Sequence, residues 1–315
     1  MATGTDPGSD PLTPAERERL AALRGAGSLA ELRSVVGGED DHDAYFAAKE
    51  IWRDLRAKQL SGTAPTAGLP GNVVAVGGHR FHVHGVTHAD TPEEGDYLRE
   101  HVRQFLDDGA AVYVEQGIRP MYFAAFEAVC EMDDYRWAMD RCRALDGDSR
   151  FGETPAFDSV GEQLDSLTDR VREAVFSLLE AEASYGDGFR SALGDLASDF
   201  LTSHETMATG EEFASYTLTR AAARDPDRLG ALQRYYETAF LPPPIEREWL
   251  RRHDPELELV THARSERQAD YAVYHNDDAR EVHLVVGAAH QPGVTYYLER
   301  HRDGHRSASE FEPVA

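Results

Sequence analysis

Two histidines in this chain follow the same local spacing, Gly85-Val86-Thr87-His88 and Gly287-Ala288-Ala289-His290. Each run closes an apolar stretch and precedes a helical pattern, which puts an imidazole where a strand stops and a helix begins. Open α/β sheets bind ligands at the carboxyl ends of their strands, and a glycine there lets the chain turn sharply and a substrate approach the backbone. One such run carries little weight; two are harder to dismiss. A third apolar stretch, Ala111-Val112-Tyr113-Val114, ends in Glu115, with Arg119 four residues on. An ionised carboxylate at the end of a buried strand needs a partner, and a metal ion or a guanidinium is the usual one. Two neutral imidazoles and one carboxylate suit a divalent ion with open coordination positions, and that ligand set does not distinguish zinc from manganese, cobalt or iron. Such an ion lowers the pKa of a bound water and polarises an amide or ester carbonyl, with Glu115 as ligand or general base. The plainer reading of Glu115 is an ion pair with Arg119 that braces the strand end; Arg119 could equally orient a substrate carboxylate or carbonyl.

These residues need elements to hold them, and the chain supplies the signals. Residues 72–76 and 80–87 read as strands joined by Gly77-Gly78-His79, a hairpin with Phe81, Val83 and Gly85 on one face. Thr91-Pro92-Glu93-Glu94 has capping-box spacing and opens a helix just after His88, with Tyr97, Leu98, Val102, Phe105 and Leu106 on its apolar stripe. Residues 110–114, nearly all apolar, fit a strand covered on both faces. Further strands are expected at residues 257–260 and 282–286, and a last helix at 294–300. Between them, residues 122–250 read as a helical insertion that folds over the sheet as a cap, with one long amphipathic face through Leu164, Leu167, Val171, Val175 and Leu178. Residues 1–65 read as a loose tail and helical extension, with a capping box at Thr13-Pro14-Ala15-Glu16, a helix over residues 43–60 and a linker over residues 61–71. The expected fold is α/β, a central mixed sheet flanked by helices, filling residues 66–315.

Composition narrows the functional classes. The formal charge is -25, and the only lysines are Lys49 and Lys58. Surplus surface carboxylate with arginine as the main cation is the pattern of proteins that work in high salt. No basic stripe is present, which argues against nucleic acid as a partner. No apolar run approaches the roughly 20 residues of a membrane helix, and the first residues lack a signal-peptide pattern, so the expectation is a cytoplasmic protein without a membrane span. Cys130 and Cys142 have no thiol or histidine beside them at metal-ligand spacing and read as packing residues.

The run His84-Gly85-Val86-Thr87-His88, a helix, then Val112-Tyr113-Val114-Glu115 with Arg119, resembles the amino-terminal signature of the TraB/PrgY and Tiki proteins. Arg264-Ser265-Glu266-Arg267, a helix, and Val285-Val286-Gly287-Ala288-Ala289-His290 with Pro292-Gly293 is similar to their carboxy-terminal signature. The likeness spans residues 72–300 and is strongest at its ends. The wider group includes erythromycin-esterase-like and ChaN-like proteins and is described with an α/β core and a helical insertion; Tiki members are described as metal-dependent proteases, and TraB/PrgY members are linked to control of peptide pheromones. The resemblance implies a metal-dependent hydrolase in which His88, Glu115 and His290 face one cleft, with Mn, Co or Zn as the ion. Arg119 and Arg267 would support the site or bind substrate, as would Gly85, Gly287 and His84. The substrate would be a peptide or a small molecule, and such cores could pair into homo-oligomers through a sheet edge. Two departures stand out: the short spacing Gln116-Gly117-Ile118 before Arg119, and the lack of the membrane helices that end many archaeal TraB relatives.

Rival readings come from other classes. His82 and His84 form the His-x-His with which amidohydrolases open a metal site, but eight strand-helix units do not follow. His204, His275 and His283 read as structural or cap-lining residues. The same fold could also hold a peptide or haem without turning it over; replacing His290 by Ala separates the two, since a catalyst loses turnover and keeps affinity whereas a binder loses affinity.

Overall fold

Gly77 and Gly78 take positive φ values of 58° and 92°, the backbone a two-residue hairpin turn with the right twist requires. They fold β1 (Asn72–Val76) back on β2 (His79–Val86), with Val76 opposite His79. The computed structural model describes residues 11–61, 68–149, 211–276, 278–308 and 311–314. In it β2 pairs in parallel with β5 (Glu281–Gly287), which pairs in parallel with β3 (Ala111–Val114), which pairs in parallel with β4 (Val129–Glu131). The five-stranded sheet has the order β1-β2-β5-β3-β4. It is a mixed sheet with helices on both faces, so the chain is α/β.

The side chains of β5 explain why that strand is apolar throughout. Val285 points to one face, where it meets Val86, Val112 and Val114 under Leu98 and Val102 of α4 (Pro92–Asp107). Leu284 and Val286 point to the other, packed with Phe81 and Val83 under two helices numbered below, which supply Ala269, Ala272, Val294 and Leu298. A strand buried on both sides leaves no position for alternation.

Among the described residues, three helices precede the sheet: α1 (Pro14–Gly25), α2 (Leu29–Val36) and α3 (Asp41–Ser61). The capping box at Thr13 and Glu16 is complete in both directions. Leu23, Leu32 and Trp52 share a core with Leu241 and Ile245 from the far end of the chain, so this extension is built into the compact unit formed by residues 1–143 and 215–315. Residues 144–214 make a second unit, of which only the end of α6 (Asp134–Ser149) and the start of α7 (Glu211–Arg224) are described. The amphipathic face expected at residues 164–178, and His204, lie outside the described residues, as does most of the expected linker at 61–71. Between β3 and β4 lies the short α5 (Ile118–Tyr122). After α7 come α8 (Leu229–Ala239), α9 (Pro243–His253), α10 (Pro255–Glu258), α11 (Arg264–His275) and α12 (Gln291–Arg302).

Two expectations fail locally. Residues 129–131 form a strand where helix was expected; three residues are too few to show a period. Residues 257–260, expected as strand, are helical. The Asp254 side chain accepts from the Leu257 N–H at 2.9 Å and Pro255 opens the turn, so capping overrides the apolar run. The helix then widens into a π turn, Leu259–Ala263, immediately before Arg264. No described helix is long and apolar enough to cross a membrane.

Candidate active site

Strand register brings the two Gly-x-x-His runs together. Val86 lies opposite Gly287 and Val114 opposite Val285, so β2, β5 and β3 end side by side. The Glu115 N–H continues the ladder to the Val285 carbonyl at 2.9 Å, and the Ala288 N–H donates to the Val86 carbonyl at 2.9 Å. His88 follows β2, Glu115 follows β3, and His290 stands at the head of α12. His88 Nε2 is 3.5 Å from Glu115 Oε2, and His290 Nε2 is 3.6 Å from Glu115 Oε1. Gly287 keeps the space among them clear. A Cβ on it would meet His88 Nε2 at 3.2 Å, Glu115 Oε2 at 3.3 Å and His290 Cδ2 at 3.6 Å.

Glu115 is buried, and its partner is not Arg119. Arg264 Nη2 donates to its Oε1 at 2.7 Å, and the Gly287 N–H donates to its Oε2 at 2.6 Å. Arg264 also binds Asp134 through Nε at 2.9 Å and Nη2 at 2.6 Å, while Gln268 donates to the same Asp134 oxygen at 3.0 Å. Burial works against a charge on Glu115, yet His290, His88 and Arg264 together hold its carboxyl well below the usual range. Arg119 forms no ion pair with Glu115, and its Nε is buried without a hydrogen-bond partner.

The loop that carries His88 is unusual and is held from below. His88 and Asp90 have positive φ values of 59° and 50°, the left-handed region that costs a non-glycine residue free energy unless its surroundings impose it. Glu94, fully buried at the start of α4, imposes it. Its carboxylate accepts from the Thr87 N–H and the Thr87 hydroxyl, each at 2.7 Å, and from the Tyr122 hydroxyl at 2.5 Å. The Tyr122 oxygen in turn accepts from the Asp90 N–H at 2.9 Å. Thus only half of the expected capping box forms. Thr91 caps Glu94, and the Glu94 side chain turns to the loop.

The two imidazoles differ in setting. Burial pushes His290 down to about 4. At His88 burial acts in the same direction, but Glu115 outweighs it and the net shift is upward. Ser265 Oγ lies 3.3 Å from the Thr261 carbonyl and 3.1 Å from His290 Nδ1. With the hydroxyl donating to the carbonyl, its oxygen accepts from Nδ1–H, which leaves the Nε2 lone pair of His290 facing Glu115.

The three residues line a cavity of about 230 Å³ whose other walls include Val86, Leu232 and Ala288 and the polar groups of Thr219 and Tyr236. Burial pushes the Tyr236 phenol up, so it remains a donor at neutral pH. Other residues singled out from sequence lie elsewhere. His84 is stacked in a row with His82, His283 and Phe105 on the sheet face, its Nε2 2.9 Å from His283 Nδ1 and its Nδ1 2.9 Å from the Pro70 carbonyl. Gly85 serves packing, since a Cβ there would come within 2.8 Å of the Ala288 Cα. Arg267 binds Asp133 at 2.8 and 2.5 Å and stacks on Phe311 at 3.8 Å, clamping the carboxy-terminal segment. The supporting residues Arg264, Ser265, Asp134 and Glu94 were not identified from sequence. Arg264 and Ser265 sit in the quoted Arg-Ser-Glu-Arg run, but nothing in a linear run tells which arginine the π turn aims at the cleft.

The donor set can be tested for a divalent ion. His88 Nε2 is buried with no hydrogen-bond partner, His290 presents a lone pair, and a glycine clears the gap between them; these suit an ion held by His88, His290 and Glu115. The imidazoles stand on opposite oxygens of the carboxylate. Among the described residues, the donors that all lie within 4.8 Å of one another are instead Asp40, His42 and Asp43, an exposed group. Asp40 there is accounted for by capping, since it accepts from the Asp43 N–H at 2.9 Å. The donors of His88, Glu115 and His290 do not all lie within 4.8 Å of one another. No family model, curated protein or solved structure matches this chain.

Proposed function

We propose that this protein is a hydrolase of peptide or ester bonds, with His88, Glu115 and His290 as its reactive constellation. What carries the reading is that the buried Nε2 of His88, 3.5 Å from Glu115, and the Nε2 of His290, 3.6 Å from it, face the same carboxylate across space that Gly287 keeps clear. The likeness of both Gly-x-x-His segments to TraB and Tiki signatures points the same way.

His88, His290 and Glu115 would hold a divalent ion such as Mn, Co or Zn, which would supply Lewis-acid activation of water and of the carbonyl. The chain's own residues do the rest. Ser265 keeps the His290 proton on Nδ1 and so presents Nε2 to the gap. Arg264 and the Gly287 N–H fix the plane of the Glu115 carboxylate and leave lone pairs on both oxygens. Glu94 locks the His88 loop. The Thr219 hydroxyl hydrogen-bonds the Tyr236 oxygen, which leaves the Tyr236 hydroxyl as the donor to a substrate oxygen, beside Val86, Leu232 and Ala288 in the cleft wall.

The test is turnover of peptide and ester libraries by protein loaded with Mn, Co or Zn in high salt, alongside Glu115→Gln and His290→Ala. Hydrolysis that both substitutions abolish, with substrate affinity kept, is the expected result. A ligand whose affinity falls in His290→Ala and which is never turned over would make the protein a binder instead.

A further inference from the structure

The corner that follows β4 holds the backbone on either side of Glu115. The Met132 N–H donates to the Val114 carbonyl at 2.8 Å, and the Asp134 carboxylate accepts from the Gln116 N–H at 3.0 Å. One of these groups belongs to the peptide bond before Glu115 and the other to the peptide bond after it. Residues 132–134 therefore fix the chain that carries the carboxylate, opposite the bond from the Glu115 N–H to Val285 on β5.

Asp133, the middle residue of the corner, is buried and is held from outside the site. Arg267 donates to it from Nε at 2.8 Å and from Nη2 at 2.5 Å, and the Val314 N–H donates to the same oxygen as Nη2, at 2.7 Å. Arg267 Nη2 also donates to the Glu312 carbonyl at 2.8 Å. Its guanidinium lies 3.8 Å from the centre of the Phe311 ring, which meets the Tyr271 and Tyr274 rings at 5.8 and 5.1 Å. Residues 311–314 thus cover Arg267 and give the Asp133 carboxylate one of its donors, and a buried carboxylate is costly to leave short of one. Those residues do not line the cleft, so their route to Glu115 is the corner.

Two arginine–aspartate pairs lie side by side there. Arg264 and Arg267 are one turn apart on α11, Asp134 and Asp133 are neighbours in the chain, and each arginine binds one of them. Arg264 reaches on to Glu115 at 2.7 Å, and Arg267 to residues 311–314. We propose that residues 311–314 position Glu115, with Phe311 and Val314 as positioning residues: docked on Arg267 and Asp133, they hold the corner that holds the peptide bonds on both sides of the carboxylate. The consequence for turnover rests on the hydrolytic reading of the cleft; the linkage within the fold does not.

Two variants of the full chain provide the test. Val314→Pro removes the N–H that Asp133 accepts and leaves the aspartate and Arg267 in place, and Phe311→Ala uncovers the guanidinium. In both, the backbone amide signals of Glu115 and Gln116 in ¹H–¹⁵N spectra are expected to shift, while those of Val74 and Phe81 in the hairpin stay in place. With a substrate that the parent hydrolyses, kcat should fall by about tenfold, the scale of a displacement of less than 1 Å, with KM unchanged. A segment that only adds stability would lower the urea midpoint and move neither signal. Glu115 and Gln116 signals that match the parent in the folded variants, or a kcat that neither variant lowers, would overturn the proposal. A parent that hydrolyses no peptide or ester overturns the hydrolytic reading alone, and the two amide signals then decide the linkage by themselves.

Discussion

Gly287→Ala probes the candidate site with a single methyl group. Gly287 does not occupy the left-handed region, so alanine suits its backbone. The new Cβ would sit 3.2 Å from His88 Nε2, 3.3 Å from Glu115 Oε2 and 3.6 Å from His290 Cδ2. Those contacts are tight but short of a collision, and the side chains can give by a few tenths of an ångström. The cost in stability is therefore expected below about 1 kcal/mol, well inside the range of ordinary substitutions. The functional cost is larger, because the methyl takes the space where an ion or a reacting water must stand. Displacing reacting atoms by about 1 Å is worth a loss of roughly 100-fold. Urea unfolding measures the first quantity, and calorimetric titration with Mn, Co or Zn together with turnover measures the second. A folded Gly287→Ala that binds the ion and turns over substrate within about threefold of the parent would refute the reasoning that this gap is the reaction site.

Three further outcomes follow from the supporting network. Arg264→Met strands Glu115 and Asp134, two buried carboxylates that share one guanidinium, and should cost about 3–5 kcal/mol in urea unfolding. Glu94→Gln keeps the shape but weakens the charged acceptor for Thr87 and Tyr122. It should lower stability by about 1–3 kcal/mol and shift the His88 ring resonances, whereas a role confined to capping α4 would leave them unmoved. The row of histidines on the sheet face gives a pH dependence: burial pushes His84 down to about 4 and His283 down to about 3 from an ordinary 6.5. Between about pH 6.5 and pH 4 the unfolded chain takes up protons that these folded residues refuse. Their contribution is thus complete above pH 6.5 and lost as the pH falls. His283→Phe should flatten the slope of stability in that window by about 1.4 kcal/mol per pH unit, and an unchanged slope would count against it.

The parts of the structure that depend on short-range rules were open to reading. The hairpin follows from Gly77-Gly78, α1 from a complete capping box, and the buried strands β3 and β5 from their unbroken apolar runs. The meeting of His88, Glu115 and His290 was also anticipated, because all three follow strand ends and parallel strands end at one edge. What escaped depends on partners remote in sequence. Glu115 had a plausible neighbour in Arg119, but the geometry gives it Arg264, 149 residues away. Residues 257–260 have strand composition and no strand to pair with, so Asp254 and Pro255 decide the outcome. Glu94 carries a capping pattern that is half used for capping, and only the positive φ at His88 reveals what the other half holds.

In the proposed function His88, Glu115 and His290 act on one occupant. Zinc titration of protein labelled with ¹⁵N at histidine, followed through the ring nitrogens, tests it most directly. The Nε2 signals of His88 and His290 are expected to shift together, to saturate at about one ion per chain, and to do so about tenfold more weakly in Glu115→Gln. Signals that move only at His42, or at His88 and His290 in separate steps, would contradict it.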